Sequence, residues 1–161
     1  MKRVLVISPH PDDEAIGCGG SLRGHVQDGD SVLTLFLTSG ESGGHGLARE
    51  ETVRVREGEA EEAGRILGLP QLEFWHEPDG RLRARKRLVD RMRATIDDFD
   101  PEIIYVTHDR EMHLDHQAAA RVVRNAVSHR LTERQKFEVR MYEVWTPLQQ
   151  MDVIVDISRS I

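Results

Sequence analysis

Two short stretches concentrate the residues able to do chemistry: His10-Pro11-Asp12-Asp13-Glu14 and His113-Leu114-Asp115-His116, the second preceded by His108-Asp109. Imidazole nitrogens and carboxylate oxygens are the donor set of a hydrolytic zinc site, where three protein ligands leave a fourth position for water. The chain has a single cysteine, Cys18. That rules out a thiolate cluster and an internal disulfide, so a bound metal must be held by histidine and carboxylate. Taken alone, Asp12, Asp13 and Glu14 also read as acids in the first turn of a helix, where the helix dipole favours them. A lone histidine is more often a surface residue than a ligand. Two histidines around an aspartate, set against a second His-Asp-Asp cluster, favour a metal. On residue types and spacing alone, the choice between Asp12 and Asp13, and between His113 and His116, stays open.

Both clusters directly follow short apolar runs. Residues 3–8 (RVLVIS) and 103–107 (IIYVT) have the continuous apolar character of strands buried on both faces. Pro9 and Pro11 bias Ser8 and His10 toward extended backbone and stiffen the exit from the first strand. Further strands are predicted at 31–38, 72–75, 137–144 and 153–155, and helices at 15–27, 47–67, 85–99 and 115–129. A turn at Asp28-Gly29-Asp30, a Gly-rich loop over 39–46, Gly68 as a helix C-cap, the turn Pro78-Asp79-Gly80 and a stop at Asp100-Pro101 separate them. Strands alternating with helices predict an α/β fold. The expected form is a Rossmann-like three-layer α/β/α sandwich with a mostly parallel sheet. In such sheets ligands sit beyond the carboxyl ends of the strands, and both clusters lie there.

Bulk composition narrows the rest. At 161 residues, 39% hydrophobic and 31% charged, the chain suits one soluble domain over 1–161. A net charge of −6 argues against general nucleic-acid binding. No run of about 18 apolar residues exists to span a membrane. The N-terminal MKRVLVIS stretch runs into Pro, His and Asp with no small-residue cleavage site, so it reads as a strand and not a signal peptide, and a cytoplasmic location is expected.

HPDDE after the first strand, GCGG in the following helix and HLDH after a later strand together resemble the PIG-L/LmbE-like family of zinc-dependent N-deacetylases, over about residues 3 to 157. The resemblance implies metal ligation by His10, Asp13 and His116. It implies Asp12 as general base, and His113 as the group that stabilises the oxyanion and helps protonate the leaving amine. The substrate implied is a small amino-sugar or N-acetylglucosaminyl conjugate, the ion zinc or another divalent metal such as iron(II), and the assembly a homo-oligomer. Adjacent Asp12 and Asp13 side chains cannot easily point the same way, which agrees with one ligating while the other faces the attacking water. Asp115 is assigned to orient a neighbouring imidazole. Family members continue well past the segment resembling residues 153–158, so the expected domain stops short of their C-terminal part.

Other features have competing readings. Arg56, in an RxxEA pattern of the second helix, resembles a sugar-contacting arginine or is a helix charge paired with nearby glutamates. Asp79 resembles a position contacting sugar hydroxyls or is a plain turn aspartate. The Gly17-Cys18-Gly19-Gly20 run lies inside a helix without GxGxxG spacing, so it predicts close helix–sheet packing, with Cys18 buried and inert. Seven basic residues over 81–93 predict a solvated helix face, opposed by the acids of 50–62, in preference to an anion-attracting patch. Ser39, Glu41 and Ser42 are placed at the pocket's border. His25, His45, His76 and His129 match no motif and are read as structural or surface. The competing functions are a metallo-phosphoesterase and a non-catalytic Rossmann-like nucleotide-binding module. The second would leave HPDDE and HLDH unexplained.

Overall fold

The computed structural model describes residues 1–44, 46–128, 137–158 and 160. Five strands, β1 (Arg3–Ser8), β2 (Ser31–Phe36), β3 (Gln71–Phe74), β4 (Ile103–Thr107) and β5 (Glu138–Tyr142), form one sheet in the order β3-β2-β1-β4-β5, all parallel. Four helices, α1 (Asp13–Gln27), α2 (Arg49–Leu67), α3 (Lys86–Phe99) and α4 (Leu114–Val127), pack as the pairs α1·α2 and α3·α4. Alternate residues of each central strand feed the two faces, as a period of two requires. Leu5, Ile7, Leu33, Leu35, Ile104 and Val106 join Leu88, Met92, Ile96 and Val122 on one side. Val4, Val6, Val32, Ile103 and Tyr105 join Cys18 and Leu22 on the other. This is the predicted three-layer sandwich.

The chain winds outward from β1 through β2 to β3, then returns to place β4 on the other side of β1. The strand order therefore reverses between β1 and β4, which pair with Val4 opposite Ile103 and Ile7 opposite Val106. The loops leaving these two strands diverge at their carboxyl ends and open the crevice where ligands bind in such sheets.

Most boundaries fall within two residues of expectation, and Gly68 caps α2 in the left-handed region at φ 78°. α1 begins earlier, at Asp13, so two of the motif's acids lie inside its first turn. The last expected strand, 153–155, does not form. Those residues are exposed coil without a ladder partner, because β-branched side chains favour a strand only where a neighbouring strand supplies hydrogen bonds. The end of the predicted fourth helix at 129 lies outside the described residues. Lys86 and Arg93 pair with Asp90, Arg87 pairs with Glu77, and Arg91 stacks over Trp75 at 4.0 Å. Among the described residues, the ion-pair partners found for Lys86, Arg87 and Arg93 are Asp90 and Glu77, not the acids of 50–62.

The packing role of GCGG is visible at Gly17. A Cβ there would stand 2.2 Å from the Tyr142 ring and 2.7 Å from the Glu143 carbonyl oxygen. Tyr142 cannot readily yield, since it is buried and its hydroxyl donates to the Ile7 carbonyl at 3.1 Å. Gly17→Ala is therefore expected to cost about 1–3 kcal/mol of stability through overpacking, read as a lowered urea midpoint.

Candidate metal centre

His10 leaves β1 on stiffened backbone, and α1 starts three residues later. Between them Asp12 adopts φ 115°, a region that side-chain-bearing residues rarely occupy. This turn separates the two adjacent aspartates. The Asp13 carboxylate is buried and its Oδ2 accepts from the His10 backbone N–H at 2.9 Å, whereas the Asp12 side chain remains 55% exposed. From the neighbouring strand, His113 caps α4 by accepting the Asp115 N–H on Nδ1 at 3.2 Å. Within the first turn of that helix His116 is fully buried.

The two motifs meet atom to atom. His10 Nδ1 lies 3.0 Å from Asp13 Oδ2, His116 Nε2 lies 3.2 Å from the same oxygen, and the two nitrogens are 3.3 Å apart. Ligands roughly 2.0–2.1 Å from zinc in a tetrahedron are separated by about 3.3 Å, so this triangle of one oxygen and two nitrogens fits a divalent ion. His113 stands beside it, its ring centroid 4.8 Å from that of His10 and 4.9 Å from that of His116. Among the described residues, donor atoms of His10, His113 and His116, and separately of His10, Asp79 and Asp115, also lie within 4.8 Å of one another.

The far side of His10 is held by carboxylates. Its Nε2 is 3.1 Å from Asp79 Oδ1 and 3.4 Å from Asp115 Oδ2. Asp115 also receives the backbone N–H groups of Gly80 at 2.7 Å and Leu82 at 3.1 Å, which ties the 78–82 turn to α4. Ser42 donates its N–H to Asp79 at 2.8 Å. Asp79 thus turns inward against an imidazole. The imidazole beside Asp115 is that of His10.

Electrostatics reflect this crowding. Burial alone would lower the His10 pKa, but hydrogen bonds to Asp115, Asp13 and Asp79 override it and carry the imidazole up to about 11. Burial likewise opposes ionisation of Asp13, and the two histidines outweigh it and bring that carboxyl down to about 2. Three buried carboxylates converging on one imidazole form a pocket of negative charge that a cation would neutralise. Asp12 moves the other way, raised by partial burial and the Asp13 carboxylate beside it. His113 is lowered by burial and by the neighbouring His10 and His116.

Arg56 reaches from α2 to the turn of the first motif. Its Nη2 donates to the Pro11 carbonyl at 2.7 Å and to Asp12 Oδ2 at 3.0 Å, while Nη1 reaches the Gly40 carbonyl at 3.3 Å. It pairs with Asp12 and bridges the strained turn to the Gly-rich loop. Beside this pair a cleft of about 650 Å³ opens between α1 and α2, lined in part by Pro11, Asp12, Leu47, Val55 and Arg56. Glu41 accepts the Asp79 N–H at 3.1 Å and pairs with Arg49. Ser39 donates to Glu57, which also pairs with the exposed His76 at 3.2 Å. His25 links Asp30 and Tyr105 away from the centre, and His45 and His129 lie outside the described residues. Cys18 is buried, and burial raises its thiol well above the usual range.

Glu111 is the residue the motifs did not point to. Fully buried, it lies behind His116 and accepts three backbone N–H groups from residues 144 to 146. Its one sequence signal is an acid two residues before His113.

The family profile described as "PIG-L: GlcNAc-PI de-N-acetylase" matches residues 5–127, which include every residue of this centre. The chain belongs to the PIG-L family. A relative, the probable N-acetyl-alpha-D-glucosaminyl L-malate deacetylase 2 of Bacillus cereus, is 31% identical over 135 residues, covering 79% of this chain and 61% of its own. Among solved structures, N,N'-diacetylchitobiose deacetylase from Pyrococcus horikoshii superposes with a TM-score of 0.88 at 22% identity, covering 98% of this chain and 65% of the other, and shares the PIG-L fold. GalB, the 4-carboxy-2-hydroxymuconate hydratase of Pseudomonas putida, gives 0.86 at 25% identity over 99% of this chain and 74% of its own. The chain spans about three-fifths of the length of the curated relatives it matches first. Among the described residues, no helix of this PIG-L chain is long and apolar enough to cross a membrane.

Proposed function

We propose that this chain is a zinc-dependent N-deacetylase that removes the acetyl group from an amino sugar or an N-acetylglucosaminyl conjugate. The observation that carries the reading is the triangle of His10 Nδ1, Asp13 Oδ2 and His116 Nε2, with a separate carboxylate, Asp12, turned away beside an open cleft. His10, Asp13 and His116 would hold the ion, and Asp79 and Asp115 would fix His10 from behind, as outer carboxylates commonly do for metal-bound imidazoles. When bound, the ion supplies a water of lowered pKa and polarises the acyl carbonyl.

Asp12 takes the proton of the attacking water as its oxygen bonds to the acyl carbon. Its raised pKa lets it keep that proton and pass it to the amine nitrogen as the C–N bond breaks, giving acetate and the free amine. His113 accepts a hydrogen bond on Nδ1, so in the neutral imidazole its proton is on Nε2. A neutral Nε2–H can stabilise the oxyanion, and the lowered pKa favours this form over an imidazolium.

Arg56 acts on the base, on this reading, by clamping the Asp12 turn. Arg56→Lys keeps the charge but loses the forked contact to Pro11, Gly40 and Asp12. The expected result is kcat lowered by about tenfold, which corresponds to roughly 1.4 kcal/mol of transition-state stabilisation, with KM little changed. A rise in KM with kcat intact would make it the substrate contact that its sequence pattern suggested.

The deciding experiment is an amine-release assay on a panel of N-acetylglucosamine conjugates, with zinc added back and metal content measured on the same preparation. Amine release with about one zinc per chain is expected. No release from any conjugate by zinc-loaded protein would overturn the reading. Phosphate release from phosphomonoesters, or water addition to an unsaturated hydroxy acid, would identify the replacement.

A further inference from the structure

The centre has a second outer carboxylate, behind the opposite histidine. His116 Nδ1 is buried and makes no hydrogen bond among the described residues, and it faces Glu111 Oε2 at 3.8 Å. Glu111 is itself fully buried, and its orientation is fixed from three directions. Oε1 accepts the N–H groups of Val144 at 2.6 Å and Trp145 at 3.0 Å, and Oε2 accepts that of Thr146 at 3.1 Å. His108 Nε2 also approaches Oε1, at 3.6 Å, but donates to the Thr146 carbonyl at 2.7 Å. Among the described residues, His108 and His116 approach Glu111, and of these two only His116 presents an uncommitted ring nitrogen to it.

A neutral His116 carries one proton, on one of two nitrogens. On Nε2 it would point between His10 Nδ1 and Asp13 Oδ2 and fill the space a cation needs. On Nδ1 it faces a fixed, fully buried carboxylate at 3.8 Å, where the low dielectric of the interior strengthens the attraction. We propose that Glu111 is a positioning residue that sets the His116 tautomer, holding the proton on Nδ1 and leaving the Nε2 lone pair free for the metal. The same carboxylate anchors the segment after β5, so metal affinity and the order of residues 144–146 share one group. This inference rests on the proposed ligand role of His116.

The variant Glu111→Gln separates charge from shape. Its amide oxygen can keep the bonds to Val144 and Trp145, but its NH2 then faces the Thr146 N–H and His116 Nδ1, which favours a proton on Nε2. The expected result is zinc affinity weaker by about 10–100-fold, measured by chelator competition, and a switch of the His116 ring-nitrogen NMR pattern from the Nδ1–H to the Nε2–H form. Thr146→Val is the control for the loop alone. It removes the hydroxyl that accepts the Met112 N–H at 2.9 Å and leaves the carboxylate untouched, so zinc affinity should change by less than about twofold. Unchanged zinc affinity in Glu111→Gln, or an equal loss in Thr146→Val, would overturn the inference. The metal-free wild-type spectrum tests it even where Glu111→Gln does not fold, because an Nε2–H tautomer there contradicts it outright. His116→Ala distinguishes the two failures: if that variant binds zinc normally, the ligand assignment itself is wrong.

Discussion

Asp12→Asn is expected to lower kcat by about 10²–10⁴-fold while leaving one zinc bound per chain, the loss typical of removing a general base. The substitution is nearly isosteric, and asparagine tolerates positive φ better than most residues, so the turn at φ 115° should survive. What disappears is the ability to accept a proton and the charge paired with Arg56 at 3.0 Å. That pair is half-exposed and contributes little to stability, so Tm should move by only a few degrees. The measurement is kcat and KM alongside metal content and thermal unfolding of the same samples. Unchanged turnover would remove Asp12 from the chemistry. Loss of zinc together with turnover would exchange the roles of Asp12 and Asp13.

That exchange is a real question because the sequence alone cannot separate two adjacent aspartates. HPDDE and HLDH are legible as clusters because each directly follows an apolar run too short and too β-branched to be a helix, which places both at strand ends. What the sequence does not contain is the strand order. β1 and β4 are distant in the chain, and their adjacency comes from the crossover after β3. Nor does it show that α1 begins at Asp13, which buries one aspartate and leaves the other half-exposed.

Asp79 and Arg56 were visible as candidates, but their directions were not. Neither a turn aspartate nor a helix arginine shows its direction in sequence, and only the folded chain brings one to His10 and the other to Asp12. Glu111 falls between motifs, with neither periodicity nor a paired acid to mark it. The failed strand at 153–155 shows the converse, since three β-branched residues have strand propensity but no ladder to join.

The ligand assignment predicts a stability effect as well as an activity effect. Adding zinc at about 100 times its Kd to metal-free wild type should stabilise the fold by about 2.7 kcal/mol, if the unfolded chain does not bind the ion. For a domain of this size that is roughly 5–10 °C in Tm. His116→Ala should abolish this shift, because it removes one corner of the donor triangle and leaves Asp13 Oδ2 facing a single histidine. Metal-free His116→Ala should also unfold earlier than metal-free wild type, since a fully buried ring is lost and leaves a cavity. The zinc-dependent shift isolates the ligand role from that baseline cost. A surface residue misread as a ligand would lower neither quantity, and a purely structural core histidine would lower the baseline while leaving the zinc shift intact. Only a metal ligand loses both, with amine release falling to background in the same variant.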